Sequence, residues 1–257
     1  MPRSTPRTSL TAKAALVAVP LLALAFLTGC APSADDAEPE QRSFEPAGDR
    51  LTISKSNGDL DIRPADTAQI EVTRRFSGRS LIGTGPEATW EFEDDTLTLA
   101  TDCGLLGQCD VRYEVLVPRN LALAVEGDNG KITATGFDSA LEIRTDNGAI
   151  SVEDAAGGLT LSTENGELRA TGLTSGRVDA RSESGRVQLS FITAPERVET
   201  ATDNGAVSIE VPDDTTYKVT TTTDSGDIRT DVPEDPHSPR TITASTDNGA
   251  ITLHTTG

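Results

Sequence analysis

Residues 141–170 read LEIRTDNGAISVEDAAGGLTLSTENGELRA. Two corner triplets, Asp146-Asn147-Gly148 and Glu164-Asn165-Gly166, are each flanked by short runs that alternate apolar and polar residues. Alternation with period two marks half-buried strands. The triplet, an acid followed by Asn or Ser and then Gly, recurs along the chain. It stands at Asp128-Asn129-Gly130, Glu183-Ser184-Gly185, Asp203-Asn204-Gly205, Asp224-Ser225-Gly226 and Asp247-Asn248-Gly249, with an outlying copy at Ser56-Asn57-Gly58. From Gly130 onward the glycines lie 18, 18, 19, 20, 21 and 23 residues apart. A short motif at a near-constant period of about 20 residues indicates a repeat architecture.

Aligned on the glycine, the second residue after it forms an aliphatic column: Ile132, Ile150, Leu168, Val187, Val207, Ile228 and Ile251. The upstream runs supply a second column, Leu141, Leu159, Val178, Val198, Val219 and Ile242. Coils stacked at the parallel-strand spacing of about 4.8 Å would bury such columns. Asn-Gly between alternating runs is also a hairpin signal, so an antiparallel meander or sandwich is the competing reading. Length variation collects between repeats (GFDSA, DAAGG, FITAPE, PDDTT, PEDPHSP), as loops on one side of a solenoid would. The sequence therefore predicts an all-β, single-domain parallel β-solenoid of two-strand repeats, handedness open. In it the corners are read as turn chemistry, because Asn and Gly tolerate positive φ. Residues 128–257 are the regular part. Residues 44–127 form a divergent opening, with a turn at Glu93-Asp94-Asp95 and long loops at Ser77–Ala88 and around the two cysteines.

The N-terminus is an export signal. Arg3, Arg7 and Lys13 precede an apolar run over residues 14–27, too short for a comfortable membrane span. The run ends in Leu27-Thr28-Gly29-Cys30, which resembles the bacterial lipobox. That resemblance implies removal of residues 1–29 and lipidation of Cys30, whose acyl chains would hold the protein at a membrane surface. Residues 30–43 then read as a lipidated Cys and a flexible Ala/Pro/acid tether.

The chain of 257 residues has a formal charge of −19. Cleavage removes three of its 22 basic residues and none of its 41 acids, leaving −22. Such a charge excludes a nucleic-acid partner, which needs clustered Lys and Arg. Beyond Cys30 the cysteines are Cys103 and Cys109. Export permits a disulfide, which closes a tight loop and contributes roughly 2.4 kcal/mol if unstrained. A zinc site would want further ligands, and His237 and His254 lie far along the chain.

The lipobox, the Cys-loop-Cys followed by VRYEVLVPRNLAL, and the serial DNG-x-[IV] repeats resemble a bacterial β-strand-repeat family of unknown function that carries the label adhesin. The resemblance covers roughly residues 50–257. It implies a β-solenoid-type fold at the cell surface and brings no catalytic residues.

The acidic ladder of Asp128, Asp146, Glu164 and Asp203 offers oxygens to calcium. It lacks the spacing of the calcium-binding solenoid motif, so no metal or other cofactor is expected beyond weak stabilisation by calcium. Asp179, Arg181, Glu183 and Arg186 cluster along one repeat, as catalytic residues of a carbohydrate-active β-helix would, and equally as a solvated face would. Thr215–Thr223 and Thr241–Thr246 read as outward strand threonines. Trp90, Phe92, Phe76 and Tyr113 read as core of the opening coils. The last strand, ending at Gly257, looks uncapped and open to self-association. The function expected is a non-catalytic, membrane-anchored surface protein that binds an envelope polymer or protein. The alternatives are an envelope-stress or signalling accessory bound to a membrane protein, and an enzyme.

Overall fold

The alternating runs become strands because their inward residues are aliphatic or small and their outward residues are Thr, Ser or charged. A computed structural model of the protein describes residues 33–80, 83 and 85–256. The export signal and Cys30 lie outside the described residues. In chain order the strands are β1 (Glu40–Phe44), β2 (Arg50–Lys55), β3 (Asp59–Ala65), β4 (Ile70–Ser80), β5 (Glu87–Glu93), β6 (Thr96–Asp102) and β7 (Gly107–Pro118). They continue as β8 (Ala122–Asn129), β9 (Ile132–Thr135), β10 (Leu141–Asn147), β11 (Ile150–Glu153), β12 (Leu159–Asn165), β13 (Leu168–Leu173) and β14 (Arg177–Ser184). The last are β15 (Val187–Phe191), β16 (Arg197–Asn204), β17 (Val207–Val211), β18 (Lys218–Ser225), β19 (Ile228–Asp231), β20 (Thr241–Asn248) and β21 (Ile251–Thr255).

These strands form two sheets. One runs β1-β4-β7-β3-β9-β11-β13-β15-β17-β21-β19, the other β18-β20-β16-β14-β12-β10-β8-β2-β6-β5. From β6/β7 to β18/β19 every neighbour is parallel, with one register shift between β13 and β15 after Ala170, so the fold is a β-solenoid and not a meander. The aliphatic columns are stacked as the repeat predicts: Leu141, Leu159, Val178 and Val198 pair in turn, as do Ile132, Ile150, Leu168, Val187 and Val207. All nine side chains are buried. Opposite the corners, Phe137, Phe191 at the end of β15 and Tyr217 seal the core.

The corner glycines owe their identity to stacking. A Cβ on Gly148, Gly166, Gly185, Gly205 or Gly249 would lie 1.8–2.1 Å from the carbonyl oxygen of the corner glycine in the adjoining coil. Positive φ occurs at three corner glycines, Gly58, Gly130 and Gly226, and at no corner Asn, so the turn conformation accounts for those three corners and close stacking for the others. The corner is also part of the ladder: Gly130, Gly148, Gly166, Gly185 and Gly205 each donate a backbone N–H to the residue before the next corner glycine.

Both ends depart from chain order. β20/β21 lies between β16/β17 and β18/β19, so the last strand of the chain is interior and the end coil is Lys218–Asp231. This corrects the expectation of an uncapped C-terminal edge. The reason is polarity: Ile242 and Ala244 of β20 are fully covered, whereas the inward residues of β18 are Val219, Thr221 and Thr223, which tolerate water. Half of the threonine run is therefore an end cap and not an outward face.

At the other end β6/β7 stacks outside β2/β3. Antiparallel β4 and the β5–β6 hairpin close this end, turning at Asp94 and Asp95 with φ of 48° and 55°. Ser77–Ser80 belong to β4, so the loop expected over Ser77–Ala88 is shorter. The tether is also corrected. Residues 34–36 form a 3-10 turn and Glu40–Phe44 a strand antiparallel to β4, because Phe44 finds Phe92 at 5.2 Å and Ala34 N–H finds a carboxylate of Asp110 at 2.8 Å.

Gly166→Ala places a methyl 2.1 Å from Gly148 O, a backbone atom that accepts the Thr163 hydroxyl. It should cost about 3 kcal/mol or more. Gly158→Ala meets nothing within 4 Å, and should be neutral or stabilising by about 0.4–1 kcal/mol. Urea midpoints of the two variants check this, and equal midpoints would refute the stacking argument.

Candidate functional site

Three regions concentrate polar chemistry: the corner edge, the outward face of the second sheet, and the closed end. Along the corner edge the residue before each Asn or Ser is an exposed carboxylate, running from Asp128 through Asp146, Glu164, Glu183, Asp203 and Asp247 to Asp224 in stacking order. The asparagines form a side-chain ladder. Asn129 donates to Asn57 Oδ1 at 3.1 Å, Asn165 to Asn147 Oδ1 at 3.1 Å, and Asn248 to Asn204 Oδ1 at 3.2 Å. The amide oxygens of Asn57, Asn147 and Asn204 thus accept from an asparagine of the adjoining coil. Among the described residues no three His, Cys, Asp or Glu side chains gather as a metal would require.

Beneath this edge sits a ladder that the sequence reading missed. Thr163, Ser182, Thr202, Thr223 and Thr246 each donate a hydroxyl hydrogen bond of 3.0–3.3 Å to a corner glycine carbonyl in the adjoining coil. The signal was there: a Thr or Ser stands three residues before each of these glycines, a polar residue at an inward position. The same column holds Lys55 in the first coil. Its chain lies against Gly127, where a Cβ would stand 3.1 Å from Lys55 Cε. Its ammonium donates to Gly58 O at 2.8 Å and Asn129 O at 2.6 Å. Burial pushes the Lys55 pKa down to about 8, with Asp59 and Asp128 acting the other way.

On the outward face of the second sheet the charges pair along strands. Arg181 meets Asp179 at 2.9 Å and Arg144 meets Glu142 at 2.9 Å, while Arg197 contacts Glu199. A shallow groove of about 410 Å³ crosses this face over Thr160, Asp179, Arg197 and Glu199. The four residues singled out on one repeat are not all brought together. Asp179 and Arg181 neutralise each other, Glu183 lies nearer the edge, and Arg186 is beyond the corner, beside β15 of the opposite sheet. Exposed pairs of this kind contribute about 0–1 kcal/mol each. His237 and His254 lie apart, one in the loop before β20 and one on β21.

The closed end is built on Trp90. The guanidinium of Arg74 lies 4.3 Å from its ring centroid and that of Arg42 5.1 Å. Arg74 also meets Glu40 at 2.7 Å and donates to Ala88 O. Tyr113 is fully buried, its hydroxyl 3.2 Å from Thr101 Oγ1, and burial raises its pKa. Phe76 and Phe92 pack against the core, so these aromatics line the opening coils as expected. Cys103 and Cys109 are joined in a disulfide. No helix of the described residues is long and apolar enough to cross a membrane.

These features define a class: a parallel β-solenoid of stacked two-strand coils with a glycine corner and a capped end. The chain belongs to the Toastrack DUF4097 family, whose profile matches residues 49–256. It is similar to a solved candidate adhesin from Bacteroides fragilis, at 11% identity and a TM-score of 0.47 over 87% of this chain and 99% of that one. A candidate cell adhesion protein from Clostridium sporogenes is similar at 12% identity and 0.40, over 86% and 100%. A candidate lipid binding protein from Parabacteroides distasonis is similar at 11% and 0.26, over 86% and 98%. Among curated proteins no match is found.

The buried lysine sets a pH dependence. Its folded pKa of about 8 lies below the ordinary 10.5. Below pH 8 both states hold the proton, and the burial cost is fully present. Between about 8 and 10.5 the folded state sheds the proton first, so stability rises with pH. The urea midpoint of the wild type should climb across that window relative to Lys55→Met. A constant difference between the two would overturn the assignment.

Proposed function

We propose that this protein is a non-catalytic lipoprotein, anchored through Cys30 to the outer face of the bacterial membrane, that presents its solenoid to an envelope or extracellular partner. One observation carries the reading: the lipobox Leu27-Thr28-Gly29-Cys30 closes the apolar run over residues 14–27, which follows the basic Arg3, Arg7 and Lys13. The surface favours binding over catalysis. On the outward face of the second sheet the charges form strand-wise ion pairs such as Asp179–Arg181, and the groove beside them is shallow. Polar pairs already satisfied can exchange partners with a polymer or a protein, but they leave no unpaired acid–base couple to transfer a proton.

The test is co-sedimentation of the chain, without its signal and lipid, with cell walls of the source organism across salt and calcium. Saturable binding that weakens with salt is expected. Calcium should leave it unchanged, since the Asn amides that would complete a cation site bond each other. No binding under any condition would refute the wall-binding reading and point to a membrane protein as partner.

A further inference from the structure

Between β6 and β7, where the later coils turn at an acid-Asn-Gly corner, the chain turns through the disulfide ring Cys103–Cys109. The ring is held from inside. Gly104 N–H donates to Asp102 Oδ1 at 2.8 Å, Gly107 N–H donates to Gly104 O at 3.3 Å, and a Cβ on Gly107 would stand 1.6 Å from Cys103 O. At its tip Leu105 and Leu106 are 75% and 63% exposed. Leu106 has φ of +56°, a left-handed conformation that costs a leucine energy. The ring thus constrains its backbone and presents two adjacent leucines to water, and neither belongs to the core.

The position of the ring supplies a reason. Residues 34 and 35 lie against the residues that follow it: Ala34 N–H donates to Asp110 Oδ2 at 2.8 Å, and Asp35 pairs with Arg112. Cys30 is three residues before Ser33, a covalent reach of at most about 11 Å. Any acyl chain on Cys30 is therefore delivered close to the ring. We propose that the Cys103–Cys109 ring is a membrane wedge, with Leu105 and Leu106 entering the leaflet that holds the lipid of Cys30. The inference rests on the anchor proposed above.

The charges around the ring suit this role. The ring itself, CGLLGQC, is uncharged. Of the nearest acids, Asp102 and Asp110 accept backbone N–H groups, Asp35 is paired with Arg112, and Glu87 faces Asp102 across β5 and β6. Arg79 faces Gln108 across β4 and β7 and is exposed, placed for lipid phosphates. The carboxylate row starts at Asp128, two coils away along the same edge, and continues to Asp224. An anionic leaflet repels that row within a Debye length of about 8 Å. The solenoid then stands on its disulfide corner instead of lying along its acidic edge. One acyl signal gives reversible binding and a second makes it stable, and two leucines supply a modest further contribution.

The test uses the full acylated chain in vesicles of phosphatidylcholine and phosphatidylglycerol with brominated acyl chains. Trp90, the single native Trp, is buried and serves as internal control. In Leu105→Trp the introduced indole should be quenched by bromine and shifted to the blue, while wild-type emission is unaffected. A second variant, Leu106→Asn, suits the left-handed position better and removes one apolar side chain. It should exchange between vesicles about tenfold faster, since burial of a leucine is worth at least that factor. An acylated chain with an unquenched indole, or an unchanged exchange rate, overturns the wedge and leaves the anchor standing. A chain whose N-terminal peptide lacks acyl mass overturns the anchor and the wedge with it.

Discussion

The structure depends on one close approach: at each corner the carbonyl oxygen of one glycine occupies the place that a Cβ on the next coil's glycine would need. In-register parallel stacking brings backbones to about 4.8 Å, and side chains normally stand clear of it by pointing up or down from the sheet. At the corner the chain reverses within two residues, and a Cβ there would point along the stacking axis into the neighbour, 1.8 Å from Gly205 O in the case of Gly249. Glycine removes the atom. The hydroxyls of Thr163, Thr202 and Thr246 then reach the same carbonyls, so the oxygens are not left unsatisfied inside the core. Where the column lacks a threonine, in the first coil, Lys55 takes over with a longer reach. Gly127 leaves space for its side chain. The burial of that ammonium follows from the stacking rule.

A repeat that stacks this well faces the problem of stopping. Each end solves it by leaving chain order. At the C-terminal end the chain builds the outer coil first and then threads β20/β21 between it and the rest. The coil that must face solvent is thus the one with Thr221, Thr223 and Thr230 in core columns, and the strongly apolar Ile242, Ile251 and Leu253 are covered on both sides. At the opposite end antiparallel β4 and β5 replace the repeat, and β1 folds over them with Phe44, Arg42 and Glu40 turned to Phe92, Trp90 and Arg74. Cation–π stacking lets two guanidinium groups cover the indole while Arg74 donates to Ala88 O and pairs with Glu40.

The coil interior was legible in the sequence because it is local. Inward positions recur at a fixed offset from each glycine, and register follows once one corner is placed on another. The ends were not legible, because coil order is a long-range choice between similar strands. KVTTTT and TITAST read alike as strands, and only the greater polarity of KVTTTT in its inward positions distinguishes the end coil from the interior one. The segment before β1 was misread for a related reason. Its Ala, Pro and acid content matches a linker, and what orders it is a distant partner, Asp110 for Ala34 and Arg112 for Asp35. Of the candidate site residues, the Asn and Gly corners and the Cys103–Cys109 pair lie where their spacing placed them. The charged quartet on Glu183 and its neighbours does not form a unit, because Arg186 follows the corner and so lies beyond it, toward the opposite sheet.

The same geometry constrains what the molecule can do. A solenoid with a filled core has no interior cleft, so recognition must use faces, edges or ends. Its faces carry like rows of side chains at a fixed repeat, which suits a ligand that is itself extended and repetitive. Its corner edge carries a carboxylate row with its amides already bonded to each other, which favours repulsion from anionic surfaces over capture of a cation. Its ends are unlike each other: one is a threonine-rich coil, the other a disulfide corner where the N-terminal chain is bound. Only the second end is bound by the N-terminal strand Glu40–Phe44, which pairs with β4, so the two poles of the stack differ in what covers them. The number of coils between them sets how far one end stands from the other. Adding a coil would lengthen that distance by about 4.8 Å without altering either end, because each coil touches only its neighbours.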